Sequence, residues 1–106
     1  MNLFIDDERF PPSNGQTWHV VRSTAEAIEY VSKKGVPDLI SFDHDLGGED
    51  TAIKFVHWLI DRDLERPGFI GRNFRFIIHS QNPVGASNIE KLLSGYLRFR
   101  LQEGRL

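Results

Sequence analysis

Short unbroken apolar runs alternate along this chain with longer stretches of helical spacing. Asn2–Ile5, Trp18–Val21, Asp38–Phe42 and Phe74–Ile78 are the runs, each bounded by turn residues or by a polar cluster. That pattern is expected of short strands buried in a sheet. After the second run, Ser23 or Thr24 can cap a helix that reaches Lys34, with Ala27, Ile28 and Val31 on one face and Gly35 ending it. Thr51 to Leu64 repeats the helical period through Ile53, Val56, Leu59 and Ile60. Asn82 followed by Pro83 predicts an N-cap and first turn, and Ile89, Leu92, Leu93 and Tyr96 carry the last helix onward. Residues 96–102, YLRFRLQ, fit two periods. Leu97, Phe99 and Leu101 alternate as in an edge strand, whereas Tyr96 and Phe99 extend the helical stripe, and the helical reading is preferred. ERFPPSNGQT, residues 8–17, holds two prolines and Asn14-Gly15, which is turn chemistry without helical period.

Strand–helix–strand alternation predicts an α/β fold: a small, single-layer, mainly parallel sheet of about four strands with helices on its faces. Right-handed crossovers favour the strand order 2-1-3-4. Ligands of such sheets bind beyond the carboxyl ends of the strands, where the winding reverses, here between the first and third strands. Those ends carry Asp6-Asp7 and Asp43-His44-Asp45, and the fourth strand ends in His79-Ser80. Three polar clusters are therefore expected at one edge.

Such a cluster has an electrostatic cost. Two carboxylates about 5 Å apart repel by roughly 3 kcal/mol at an effective dielectric of about 20. A divalent cation offsets this, and oxygen ligation by Asp6, Asp7, Asp43 and Asp45 favours Mg²⁺ or Mn²⁺. Strand alternation puts Asp43 and Asp45 on one side and His44 on the other, unless Gly47 and Gly48 turn the chain at once. For an anion opposite the metal, the last helix is expected to offer free N–H groups from Ser80 to Gly85. Arg9 can grip a phosphate oxygen through its fork of donors or can neutralise Asp6 or Glu8, and Ser80 and Asn82 can add neutral hydrogen bonds. His44 and His79 are the candidates for moving protons, beside Asp43. His19, His57 and Trp58 are assigned no part in chemistry.

Composition narrows the setting. The 106 residues suit one domain spanning 1–106, with a core large enough to fold alone. A formal net charge of −2 provides no footprint for duplex nucleic acid. No cysteine is present, which fits the cytoplasm as the expected location. MNLFIDDER lacks the pattern of a signal peptide, and no apolar run is long enough to span a membrane.

The outline resembles a response-regulator receiver domain, with Asp6-Asp7 after the first strand, Asp43 after the third and Ser80 after the fourth. That resemblance implies Mg²⁺ on the acids and Asp43 as phosphoacceptor. The chain departs from it in lacking room for the first helix, a clear fifth strand, and the lysine that follows that strand in receivers. FIDDER, SFDHDLGGEDT and HSQNPVGASNI resemble, more closely and in the same order, the family of cyclic-phosphate-processing receiver-like domains. This resemblance implies a small phosphorylated or cyclic-phosphate substrate. The leading expectation is a metal-dependent phosphoesterase, a hydrolase, with a 2′,3′-cyclic ribose phosphate as an attractive substrate. Two others stand beside it: a signalling module phosphorylated on Asp43, and a non-catalytic module that binds a nucleotide or a protein partner.

Overall fold

A computed structural model describes residues 1–104, so the last two residues of the expected 1–106 domain lie outside the described part. The elements follow in the order β1 (Asn2–Ile5), β2 (Trp18–Val21), α1 (Thr24–Lys34), β3 (Leu39–Phe42), α2 (Ala52–Glu65), β4 (Arg75–Ile78) and α3 (Pro83–Gln102). All neighbouring strands are parallel, in the order β2-β1-β3-β4. The fold is the α/β architecture expected, with four strands and three helices.

Register decides which side chains share a face. Leu3 lies beside Ile40 and Ile40 beside Phe76; Ile5, Phe42 and Ile78 follow two residues on. These residues meet Phe55, Val56, Leu59, Ile89 and Leu93 from α2 and α3, and Ala27 and Val31 from α1, in one core. Each large side chain buried there contributes roughly 1.5–3 kcal/mol. The opposite face, with Phe4, Leu39, Ser41 and Ile77, supplies nothing to that core. The topology accounts for this asymmetry. The steps from β2 to β3 and from β3 to β4 run in one direction across the sheet, so right-handed crossovers put α1 and α2 on the same side. Only the β1–β2 step runs the other way, and its prolines and Asn14-Gly15 leave it without a helix. Trp18 covers part of that face, edge-on to Phe4 at 5.7 Å.

Local signals set the helix ends. Ser23 accepts a hydrogen bond from the Glu26 N–H at 3.1 Å, and Asn82 accepts one from the Gly85 N–H at 3.0 Å. Residues 96–102 are helical, and a buried ion pair anchors them. Arg100, four residues after Tyr96, turns inward with it, and both donate to Asp63 of α2. Asp63 also accepts the Ile70 N–H at 2.9 Å, while Arg100 caps the Ile70 carbonyl at 2.7 Å. Of the apolar side chains that mimicked a strand, Leu97 packs against the core while Leu101 and Phe99 face outward, 69% and 41% exposed. No helix among the described residues is long and apolar enough to cross a membrane.

Candidate active site at the carboxyl edge of the sheet

The ladder continues one residue beyond the strands. Asp43 donates its N–H to the Ile5 carbonyl at 2.9 Å, and His79 donates to the Phe42 carbonyl at the same distance. Strand pairing thus holds the backbones of Asp43 and His79 where the sheet ends. After β1 the chain bends at once, because Asp6 Oδ1 accepts the N–H groups of Glu8 at 2.9 Å and Arg9 at 2.8 Å. Arg22, just past β2, donates to the carbonyls of Asp6 and Arg9 and locks that bend.

Asp6 is completely buried. Its second oxygen, Oδ2, accepts from Arg9 Nε at 2.9 Å and from His79 Nε2 at 3.0 Å, which brings its hydrogen bonds to four. Burial pushes this carboxyl up, but the two backbone N–H groups, His79 and the Arg9 guanidinium outweigh it. The net effect holds Asp6 below its usual value. Arg9 does more than pair with Asp6. Its NH2 group lies 3.2 Å from the His79 carbonyl and 3.4 Å from Asp43 Oδ2, so one guanidinium ties the ends of β1, β3 and β4. Burial opposes its charge, yet Asp6 and Asp43 raise its pKa further, and it stays cationic.

His79 sits behind this pair with its ring stacked on Phe4 at 4.3 Å. Nδ1 lies 2.6 Å from Ser41 Oγ while Nε2 faces Asp6. A carboxylate can only accept, so Nε2 carries the proton and Nδ1 accepts the Ser41 hydroxyl. Burial lowers the His79 pKa, only partly countered by Asp6, which favours this neutral form. Both ring nitrogens are therefore occupied.

The segment after β3 turns as the glycines allow. Gly47 and Gly48 have φ of 91° and 56°, in the left-handed region, and a Cβ on Gly47 would lie 3.5 Å from Asp7 Oδ2. His44 leaves the acidic side as alternation predicts and packs on α3. A Cβ at Gly85 would come within 2.3 Å of its ring. Its Nδ1 meets Asp45 Oδ1 at 3.0 Å, and Asn82 Nδ2 donates to Asp45 Oδ2 at 3.2 Å. The His44 bond and the Asn82 bond hold the exposed Asp45 carboxyl below its usual range. The donors at the start of α3 are fewer than the sequence suggests. The Asn82 N–H goes to Ser80 Oγ at 3.0 Å and the Gly85 N–H to the Asn82 side chain, because capping and turn formation use them first.

A cavity of about 490 Å³ opens over these ends, lined by Asp7, Glu8, Arg9, Asp43, Asp45, Gly47, Gly48 and Gln81. Of the expected site residues, Asp7, Arg9, Asp43 and Asp45 line it, Asp6 lies beneath, and His44, His79, Ser80 and Asn82 are set back from the lining. Asp6, Asp7 and Asp43 each bring one carboxylate oxygen within 4.8 Å of the others, and Asp45 is not part of that group. The donor set, all oxygen, fits a hard cation. Sequence reasoning missed Arg22, Ser41 and Gln81. Arg22 follows a strand end and answers to the logic that found Asp6, while Ser41 is the one hydroxyl inside an otherwise apolar strand.

A parallel sheet in this order, with paired acids after β1 and an aspartate after β3, defines a receiver-like domain. The chain belongs to the family described as the cyclic-phosphate processing receiver domain, whose model matches residues 1–95. No curated protein and no solved structure matches the chain.

Proposed function

We propose that this domain is a metal-dependent phosphoesterase acting on a cyclic phosphate or a related phosphorylated nucleotide. The observation that carries the proposal is the meeting of Asp6, Asp7 and Asp43 at one cavity that also presents Arg9. Four carboxylates line that cavity against a single guanidinium, so an anionic substrate meets net repulsion unless a cation is added. Asp6, Asp7 and Asp43 are the residues that would hold Mg²⁺ or Mn²⁺, with Asp45 at the rim. Such an ion supplies Lewis-acid stabilisation of phosphoryl charge and a more acidic water.

The remaining work belongs to the chain. Arg9 binds a phosphoryl oxygen, and Gln81 lines the same cavity just ahead of α3, whereas Ser80 and Asn82 are engaged in the turn and the cap. Asp43 keeps Oδ1 without a protein partner among the described residues and accepts the proton of the attacking water. Water oxygen bonds to phosphorus, one ring P–O bond breaks, and the departing alkoxide takes up a proton. His44 packs on α3, outside the cavity lining, so the proton for that alkoxide comes from solvent. His79, with both nitrogens used, positions Asp6. Phosphorus NMR of a 2′,3′-cyclic nucleotide incubated with the protein and Mg²⁺ tests this: ring opening is expected in wild type and not in Asp43→Asn. Equal spectra for both, with or without metal, would defeat the reading.

The unpaired Asp43 oxygen also suits a second reading, in which it attacks a phosphodonor and displaces that donor's leaving group. An acid-labile aspartyl phosphate formed from a small phosphodonor, and lost in Asp43→Asn, would select that reading.

A further inference from the structure

Arg9 occupies a place that a metal ion would also seek. Its Nε and NH2 groups lie 2.9 Å from Asp6 Oδ2 and 3.4 Å from Asp43 Oδ2. Both acids are buried, whereas the Arg9 side chain is 39% exposed and borders the cavity. NH1, meanwhile, has no protein partner among the described residues, so the guanidinium has donors to spare. One long cation therefore stands between two short, buried anions, with open space on its other side.

We propose that Arg9 is a tethered counter-ion that exchanges partners: it neutralises Asp6 and Asp43 in the empty site and moves to the phosphate when a divalent cation takes over those carboxylates. The inference rests on the metal-dependent reading above and adds to it a coupling between the two ligands. A divalent ion has to displace Arg9, so metal alone binds more weakly than three carboxylates would otherwise allow. A phosphate gives the displaced guanidinium a new partner and thereby strengthens metal binding. Linkage makes the effect reciprocal, so metal strengthens phosphate binding by the same factor. The arginine thus disfavours either ligand alone and favours the pair.

The test is calorimetric titration of Mg²⁺ into wild type, Arg9→Gln and Arg9→Lys, each with and without inorganic phosphate. Without phosphate, Arg9→Gln is expected to bind Mg²⁺ about tenfold more tightly than wild type, because a competing charge is gone but was partly solvent-screened. Arg9→Lys, which keeps the charge, should stay near wild type. Phosphate should tighten Mg²⁺ binding in wild type and do little in Arg9→Gln. Thermal melts supply a readout independent of affinity. Arg9→Gln should melt below wild type in chelator, since the acids lose their counter-ion, and should gain more from Mg²⁺ than wild type does. Equal or weaker Mg²⁺ binding in Arg9→Gln, or the same phosphate effect in both proteins, overturns the exchange while leaving the metal reading standing. Failure of all three proteins to bind Mg²⁺ overturns both.

Discussion

Asp6→Asn removes one charge from the most connected side chain of the site, and the outcome can be worked from its bonds. Asparagine keeps a single acceptor oxygen. Placed at the Oδ1 position, it retains the Glu8 and Arg9 N–H groups at 2.9 and 2.8 Å. Its amide nitrogen then faces Arg9 Nε and His79 Nε2, both donors to the carboxylate. The histidine can adapt by moving its proton to Nδ1 and donating to Ser41 Oγ, 2.6 Å away. Arg9 cannot adapt. It loses a charge-assisted hydrogen bond to a buried partner, for which about 3 kcal/mol is expected, and its partial exposure keeps the loss from growing larger. Out of roughly 5–15 kcal/mol for a domain of this size, that is a large share, and the melting point should fall by roughly 12 °C. Urea unfolding at neutral pH measures it directly. Because Asp6 titrates below its usual 3.8 in the folded protein, its contribution is full above that value and fades as pH falls through the folded pKa. The gap between wild type and Asp6→Asn should therefore close in acid. A neutral-pH loss under about 1 kcal/mol, or a gap that persists unchanged at low pH, would refute the assignment of Asp6 as the hub.

Further outcomes follow from the same geometry. Nitrogen NMR should find His79 as the neutral Nε2–H tautomer. Burial depresses its pKa below the ordinary 6.5, so the unfolded chain takes up the proton first as pH falls past that value; wild type should lose stability there, His79→Gln should lose less, and titration above 6.5 would contradict this. Gly85→Ala gains helix propensity of about 1 kcal/mol but drives a methyl group to 2.3 Å from the His44 ring. A net loss of about 1–2 kcal/mol is expected, relieved when His44→Ala is combined with it; an additive double mutant would show that the ring is not the obstacle. Asp63→Ala should cost about 3–5 kcal/mol in urea unfolding by leaving Arg100 buried without its carboxylate, and Arg100→Met should recover part of that loss in the double mutant.

Much of this architecture was legible because its signals are local. Four short apolar runs, two of them ended by acids, locate both the strands and the edge where the acids meet, and the order 2-1-3-4 follows from handedness. Asn82-Pro83 and Ser23 announce helix starts through capping that needs no tertiary partner. What stayed hidden depends on neighbours distant in sequence. YLRFRLQ fits two periods, and its helical end is anchored by Asp63, 37 residues before Arg100. Asp63 itself reads as one more polar residue on an amphipathic helix. His79 looks like a free acid–base group until Ser41, one strand away, is seen to occupy its second nitrogen. Arg9 reads from the sequence as an anion clamp or as a partner of Asp6 or Glu8, and the fold adds Asp43 to the acids that engage it. The α3 donors look more numerous in the sequence for a related reason: Ser80 and Asn82 satisfy two of them before any ligand can.

The central claim is that Asp6, Asp7 and Asp43 form one cation site. Electron paramagnetic resonance of Mn²⁺ titrated into the protein tests it most directly, since bound ion is lost from the free-ion signal. The account predicts a single site that is competed by Mg²⁺ and lost in Asp7→Asn and Asp43→Asn. Full free-ion signal with wild type, or the same binding in those variants, would contradict it.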